Sequence, residues 1–206
     1  MAVRIHLNGQ WFLGSLALVL SIGIMTATTT SDAATNAETQ AGWQLLQRGE
    51  TGLVVAMRHA IAPGTGDPAN FKLGDCSTQR NLSAQGRTQA QQIGAEFRNR
   101  NIKIARVLSS QWCRCLETAK LINLGKVEPL RTLNSFFSDS SKEARQTATI
   151  RKLIVDNRNT KGAIIMVTHQ VNITAITDIV PQSGEAVILK SDEQGKIKIV
   201  GRIGGF

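Results

Sequence analysis

Two histidines and two arginines stand where they could act on a phosphoryl group. Arg58 and His59 close the apolar run LVVAM, Ser109 and Ser110 close RVL with Arg114 one turn beyond, and His169 closes AIIMVT. A guanidinium presents a planar fork of donors that matches phosphoryl oxygens and stays charged at any relevant pH. A neutral imidazole is a nucleophile near pH 7 that can form a covalent intermediate, splitting one hard displacement into two easier ones. Phosphoryl transfer asks mainly for positioning and for positive charge around the equatorial oxygens. Two arginines and a second histidine supply that charge, so neither a metal nor an organic cofactor is expected. The adjacent Arg58 and His59 have no carboxylate beside them in the sequence, and the expected counter-ion is the substrate's own phosphoryl group.

These residues need elements that bring them to one edge. TGLVVAM, IARVLSS and GAIIMVT are short, rich in β-branched residues and bounded by turn or charged residues, as buried strands are. Ser83 to Arg100 has helical spacing, with Ser83 as N-cap and Ala90, Ile93, Gly94 and Phe97 on one face. Trp112 to Leu124 and Lys142 to Asn157 have the same character, and EAVILK and KIKIVGR flank the turn-rich SDEQG as a hairpin would. The alternation predicts an α/β three-layer sandwich, with a mainly parallel central sheet and helices on both faces. In such sheets ligands bind outside the carboxyl ends of the strands, where both histidines after His6 stand. Thr26 to Gln40 is the one low-complexity stretch.

The N-terminus carries Arg4, the uncharged run WFLGSLALVLSIGIM and then small polar residues, which is the order of a signal peptide. The run from Trp11 to Met25 falls short of the ~20 residues a spanning helix needs. Residues 1–34 are therefore expected to be a signal peptide cut near Ala33 or Ala34, leaving residues 35–206 as a single domain that is periplasmic or secreted. An uncleaved membrane anchor is the alternative. After cleavage, no stable membrane association is expected. Losing Arg4 and Asp32 leaves the net charge at +9, a basic exterior that attracts anions. Nucleic acid is a poor fit, since aromatics make up 4% of the chain, tyrosine is absent and no zinc-finger spacing occurs. A phosphorylated small molecule or envelope sugar fits better.

In order and spacing, MRHA from Met57, RNLSAQGRTQA from Arg80, SSQWCRCLETA from Ser109 and VTHQVNIT from Val167 resemble the histidine phosphatase superfamily, also called the phosphoglycerate-mutase-like family. The resemblance spans Leu53 to about Ile176. It implies a metal-independent phosphomonoester hydrolase in which His59 is phosphorylated during turnover and Arg58, Arg114 and His169 form the phosphate pocket. Arg80 falls in the family's Arg-x-Leu-Ser/Thr element, either as a substrate contact or as a structural arginine paired with a carboxylate. Gln111 to Glu117 and the leader look most like an exported subgroup that includes lipopolysaccharide core heptose phosphatases. Cys115 falls directly after the pocket arginine, where the family packs a small buried residue, so the resemblance leaves Cys76 and Cys113 to form a disulfide. Three reduced cysteines are the alternative.

One feature of the family is missing. Many members carry a Glu that protonates the leaving group, in a Leu-Asn-Glu context, whereas TLNSFFSD from Thr132 puts Ser135 in that place. Asp139 is the expected substitute, with Glu117 as a rival whose other role is to orient an arginine. A leaving group that needs no protein proton, as in phosphohistidine phosphatases of the superfamily, is the alternative. Outside this class stand a glycolytic mutase, whose substrate an exported protein would not meet, and a non-catalytic phosphate sensor. A zinc enzyme built on His59, His169, Cys113 and Cys115 has the wrong Cys spacing and two arginines that would repel the cation.

Overall fold

The computed structural model describes Met1 and residues 27–206. The apolar run of the expected signal peptide lies outside the described residues. The expected cut at Ala33 or Ala34 falls within the first helix, α1 (Ala27–Gln47). Within the described residues, the low-complexity stretch up to Gln40 is part of that helix.

Six strands form one sheet: β1 (Val54–Arg58), β2 (Ile104–Ser109), β3 (Val127–Pro129), β4 (Ala163–Thr168), β5 (Ala186–Ser191) and β6 (Ile197–Ile203), in the order β3-β2-β4-β1-β5-β6. The first four in that order run parallel, and β5 and β6 add an antiparallel hairpin at the β1 edge. The sheet is thus mixed, with a parallel centre. Helices α2 (Ala84–Asn99), α3 (Cys113–Ile122), α4 (Glu143–Asp156) and α5 (Gln170–Thr177) follow the strands.

Because side chains alternate across a strand, β1 divides its apolar residues between two cores. Val55 and Met57, with Val107, Ile165 and Val167, join Ile93, Phe97, Ala119 and Ile122 of α2 and α3 and Trp43 and Leu46 of α1. Val54 and Ala56, with Leu108, Ile164 and Met166, join Ile150 and Ile154 of α4 and Ile173 and Ile176 of α5. β1 as far as Met57 and the whole of β4 are therefore buried on both faces, whereas β2 is exposed at Ala105 and Arg106 and buried from Val107. Trp43 packs edge-on against Phe97, with ring centroids 4.8 Å apart, and so fixes α1 to α2. Gly94 lets α2 reach α3, because a Cβ there would stand 1.9 Å from the Ile122 carbonyl oxygen.

Register sets the edge at which His59, Ser110 and His169 emerge. Arg58 pairs with Thr168 across β1 and β4, and Ser109 pairs with Val167 across β2 and β4. The next residue of each strand leaves the sheet at nearly the same level. His59 N still donates to Thr168 O at 3.0 Å and Ser110 N to Val167 O at 2.9 Å. His59 and Ser110 are thus held by backbone bonds to β4, which is buried along its whole length, and His169 is the residue that follows β4.

Candidate active site

His59 is 3% exposed, and its two ring nitrogens face different partners. Nδ1 lies 2.8 Å from Ala60 O, which can only accept, so Nδ1 carries the proton. Nε2 keeps its lone pair and accepts from Arg114 Nε at 3.2 Å. Burial first, then the charges of Arg114, Arg80 and Arg58, push the His59 pKa down to about 3, against a smaller upward pull from the Ala60 bond. A neutral, oriented imidazole results, as a nucleophile at phosphorus requires.

His169 stands beside it, with ring centroids 5.6 Å apart. Its Nε2 is hydrogen-bonded to Ser110 Oγ at 2.9 Å, and Trp112 packs edge-on against the ring at 5.4 Å. Burial foremost, and then His59 and the arginines, hold its pKa well below the usual histidine range. An arriving anion would favour its charged form and gain a donor.

Three arginines complete the cluster. Arg58 uses one terminal nitrogen on Pro181 O at 2.9 Å, while its buried Nε has no partner. Arg80 is fixed to the loop after β1, donating to Gly66 O at 2.8 Å and to Ala62 O. Burial, followed by repulsion from Arg114, lowers the pKa of both Arg58 and Arg80. A phosphoryl dianion would relieve both effects, and Arg58 Nε is a ready donor for it.

The site also contains a carboxylate that the sequence reading overlooked. Asp67 receives Arg114 Nη1 on Oδ1 at 2.7 Å and Nη2 on Oδ2 at 3.1 Å, so it fills the guanidinium fork. It also accepts from Trp112 Nε1 at 3.0 Å and from Arg80 N at 3.1 Å. Burial raises its pKa, but the bonds from Arg114 and Trp112 and the Arg114 charge outweigh this and leave it lowered. Asp67 is thus a protein counter-ion for Arg114, whereas Arg58 and His59 make no ion pair with a carboxylate among the described residues. In sequence Asp67 is one polar residue in GTGDP, and no periodicity marks it.

Arg58, His59, Asp67, Arg80, Arg114 and His169 line one cavity of about 790 Å³, whose outer walls include Phe71, Trp112 and Phe137. Ser135 lines it too, whereas Asp139 does not. Asp139 lies in a turn, 42% exposed, where it accepts from Ser141 Oγ and pairs with Lys142 at 2.9 Å. The Ser141 bond foremost, then Lys142, lowers its pKa. Its expected role as leaving-group acid is thereby corrected, because a salt-bridged carboxylate on the outside of the turn is badly placed to protonate anything in the cavity. Glu117 pairs with Arg87 at 2.6 Å, on the helix surface.

Cys76 and Cys113 are joined in a disulfide with a Cα–Cα distance of 5.7 Å, and Cys115 is a buried free thiol. The bond ties the segment leading to Arg80 to the helix that carries Arg114, and Gln79 Oε1 reinforces it by accepting from Cys113 N at 2.9 Å. Burial pushes the Cys115 thiol up to about 12. Among the described residues no group of three or more His, Cys, Asp or Glu side chains is placed to hold a metal ion, and no helix is long and apolar enough to cross a membrane.

Residues 54–136 match the family model of the histidine phosphatase superfamily (branch 1). No curated protein matches the chain in sequence. Among solved structures, the protein histidine phosphatase SixA complexed with tungstate superposes with a TM-score of 0.52 at 18% identity, covering 74% of this chain and 96% of its own. Phosphoserine phosphatase from Entamoeba histolytica, in complex with 3-phosphoglyceric acid, gives 0.55 at 11% identity, covering 74% and 97%. A mycobacterial glucosyl-3-phosphoglycerate phosphatase in complex with VO3 gives 0.53 at 14%, covering 74% and 99%. At such identities the shared property is the fold. The family match covers residues 54–136, which carry Arg58, His59, Asp67, Arg80 and Arg114.

Proposed function

We propose that the protein hydrolyses phosphate monoesters through a phosphohistidine intermediate on His59. The observation that carries this is the His59 ring. Nδ1 is fixed on Ala60 O, and Nε2 is free of any proton in a cavity lined by Arg58, Arg80, Arg114 and His169. Nε2 attacks phosphorus, the arginines neutralise the equatorial oxygens, and His169 donates to one of them. Water then attacks the phosphohistidine and frees inorganic phosphate.

The test is turnover of p-nitrophenyl phosphate by the purified chain, followed by acid-free rapid quench. Alkali-stable, acid-labile phosphate on His59, and loss of turnover in His59→Ala, are the expected results. No turnover, or phosphate on another residue, would reject the mechanism. The cavity is far larger than a phosphoryl group, and its aromatic outer walls suit the ring of a sugar or similar leaving group. A phosphorylated envelope sugar, of the kind handled by lipopolysaccharide core heptose phosphatases, is the proposed substrate class. Export to the periplasm or beyond belongs to the same proposal, and the Cys76–Cys113 bond supports it, since disulfides persist in oxidising compartments. Protein recovered from its own cell should begin near Thr35. An intact Met1 terminus in the cytoplasm would refute export.

A further inference from the structure

We propose that Asp67 is the proton donor to the leaving group, and the base that activates water in the second half-reaction. This rests on the phosphatase function proposed above. Three observations carry it. Asp67 is the carboxylate among the cavity-lining side chains. It lies across a single guanidinium from the nucleophile, because Arg114 donates Nε to His59 and both terminal nitrogens to Asp67. Finally, two further donors hold it, Trp112 Nε1 and Arg80 N, and neither belongs to the set that an entering phosphoryl group would engage.

The fork that Asp67 fills is the one a phosphoryl group needs. A phosphoryl dianion brings more charge than a carboxylate, and it also meets the unpartnered Nε of Arg58, so it displaces Asp67 from Arg114. The carboxylate stays on the cavity wall, held by Trp112 and Arg80, on a loop that turns at Gly64 and Gly66 with φ of +88° and +68°. The groups around it then change sign in their effect. Arg114 and Arg80 are neutralised by the substrate, and the phosphoryl oxygens become close negative neighbours. A carboxylate beside a like charge takes up a proton.

The chemistry balances in two steps. The Nε2 lone pair of His59 forms the P–N bond as the P–O bond to the leaving group breaks. The departing oxygen takes the broken pair and the Asp67 proton, leaving as a neutral alcohol. In the second step water attacks phosphorus while the Asp67 carboxylate takes one of its protons, and the P–N pair returns to His59. Ester and water become alcohol and phosphate.

The test compares Asp67→Asn with the wild type on two substrates, an alkyl or sugar phosphate and p-nitrophenyl phosphate. An alkoxide leaving group depends on the acid by about 10² to 10⁴ in kcat/KM, which reports the phosphorylation step alone, and a nitrophenolate depends on it far less. The expected loss of kcat/KM on the alkyl ester exceeds the loss on the aryl ester at least about a hundredfold. Phosphorylated His59 should also accumulate in Asp67→Asn during aryl turnover, because the second step has lost its base. Trp112→Phe removes the indole donor to Oδ2 while keeping an aromatic ring beside His169 and Phe71, and should show the same selectivity to a smaller degree even if Asp67→Asn fails to fold. Equal losses on both esters, or a selective loss in Asp139→Asn instead, would overturn the assignment while leaving the phosphohistidine mechanism standing. Absence of any wild-type turnover would sink that mechanism itself.

Discussion

Arg114 joins His59 to Asp67: its Nε lies 3.2 Å from His59 Nε2, and its Nη1 lies 2.7 Å from Asp67 Oδ1. One guanidinium therefore contacts the proposed nucleophile and holds the carboxylate, with the fork that the proposed phosphoryl group would take. Lysine keeps the charge but has neither the Nε–H nor the paired terminal donors. Arg114→Lys should lower kcat/KM for p-nitrophenyl phosphate by about 10² to 10³, the scale of losing one preorganised donor at a transition state. A loss below tenfold would mean that charge, rather than fork geometry, is what the site needs.

The two histidines set the behaviour in acid. Burial holds His59 down to about 3 and His169 well below the ordinary value, so the unfolded chain binds protons that the folded one refuses. Stability therefore rises with pH between these folded values and about 6.5, and is lost as pH falls through that window. The midpoint in urea should drop steadily from pH 7 to 4, and His59→Asn should flatten the slope. An unchanged slope would show that His59 is not buried in its neutral form. By the same shift, protonation of the nucleophile should not limit kcat/KM of the free enzyme until the pH approaches 3.

Strand ends were the legible part of this site. His59, Ser110 and His169 each follow an apolar run long enough to be a buried strand, and sheet register then leaves little freedom in where they emerge. Arg114 was legible because it stands one helical turn past such an end. Asp67 was not, since it meets Arg114 across 47 residues, and a loop has no period to show its direction. Asp139 failed for the related reason that closeness to Ser135 in sequence fixes no orientation. The chain turns there, with Asp139 N donating to Phe136 O and Lys142 N to Asp139 O, and the carboxylate pairs with its own neighbours. The three-residue strand β3 and the eight-residue helix α5 were too short for periodicity to reveal.

The disulfide should matter for both stability and the pocket. It closes a 37-residue separation, which in the chain-entropy model is about 4 kcal/mol of constraint on the unfolded state. Mass mapping without reductant should find Cys76 linked to Cys113, with Cys115 unreactive to alkylation until the protein unfolds, as its burial requires. A Cys76→Ser, Cys113→Ser variant should lose about 2 to 4 kcal/mol in urea unfolding. It should also raise KM more than it lowers kcat, because the freed segment carries Arg80 while His59 and Arg114 stay on their own elements. Three thiols alkylated in the native protein would refute the bridge.

Gly94 offers a test of the packing beneath the site, where two effects oppose. In an exposed helix, replacing Gly by Ala stabilises by about 1 kcal/mol. Here the added methyl would meet the Ile122 carbonyl oxygen at 1.9 Å, and that atom belongs to the end of α3 rather than to a side chain that could rotate away. Relief requires α2 and α3 to separate, which opens the core around Ile93, Phe97 and Ala119. Overpacking of this kind costs about 1 to 3 kcal/mol, and a clash with backbone belongs at the upper end. Gly94→Ala should therefore destabilise by a net 1 to 2 kcal/mol or so, lowering Tm by roughly 2 to 8 °C in a domain of this size. Because α3 carries Arg114, turnover should fall in the same variant. A rise in Tm would show that α2 and α3 are not in the close contact that places Arg114 beside His59.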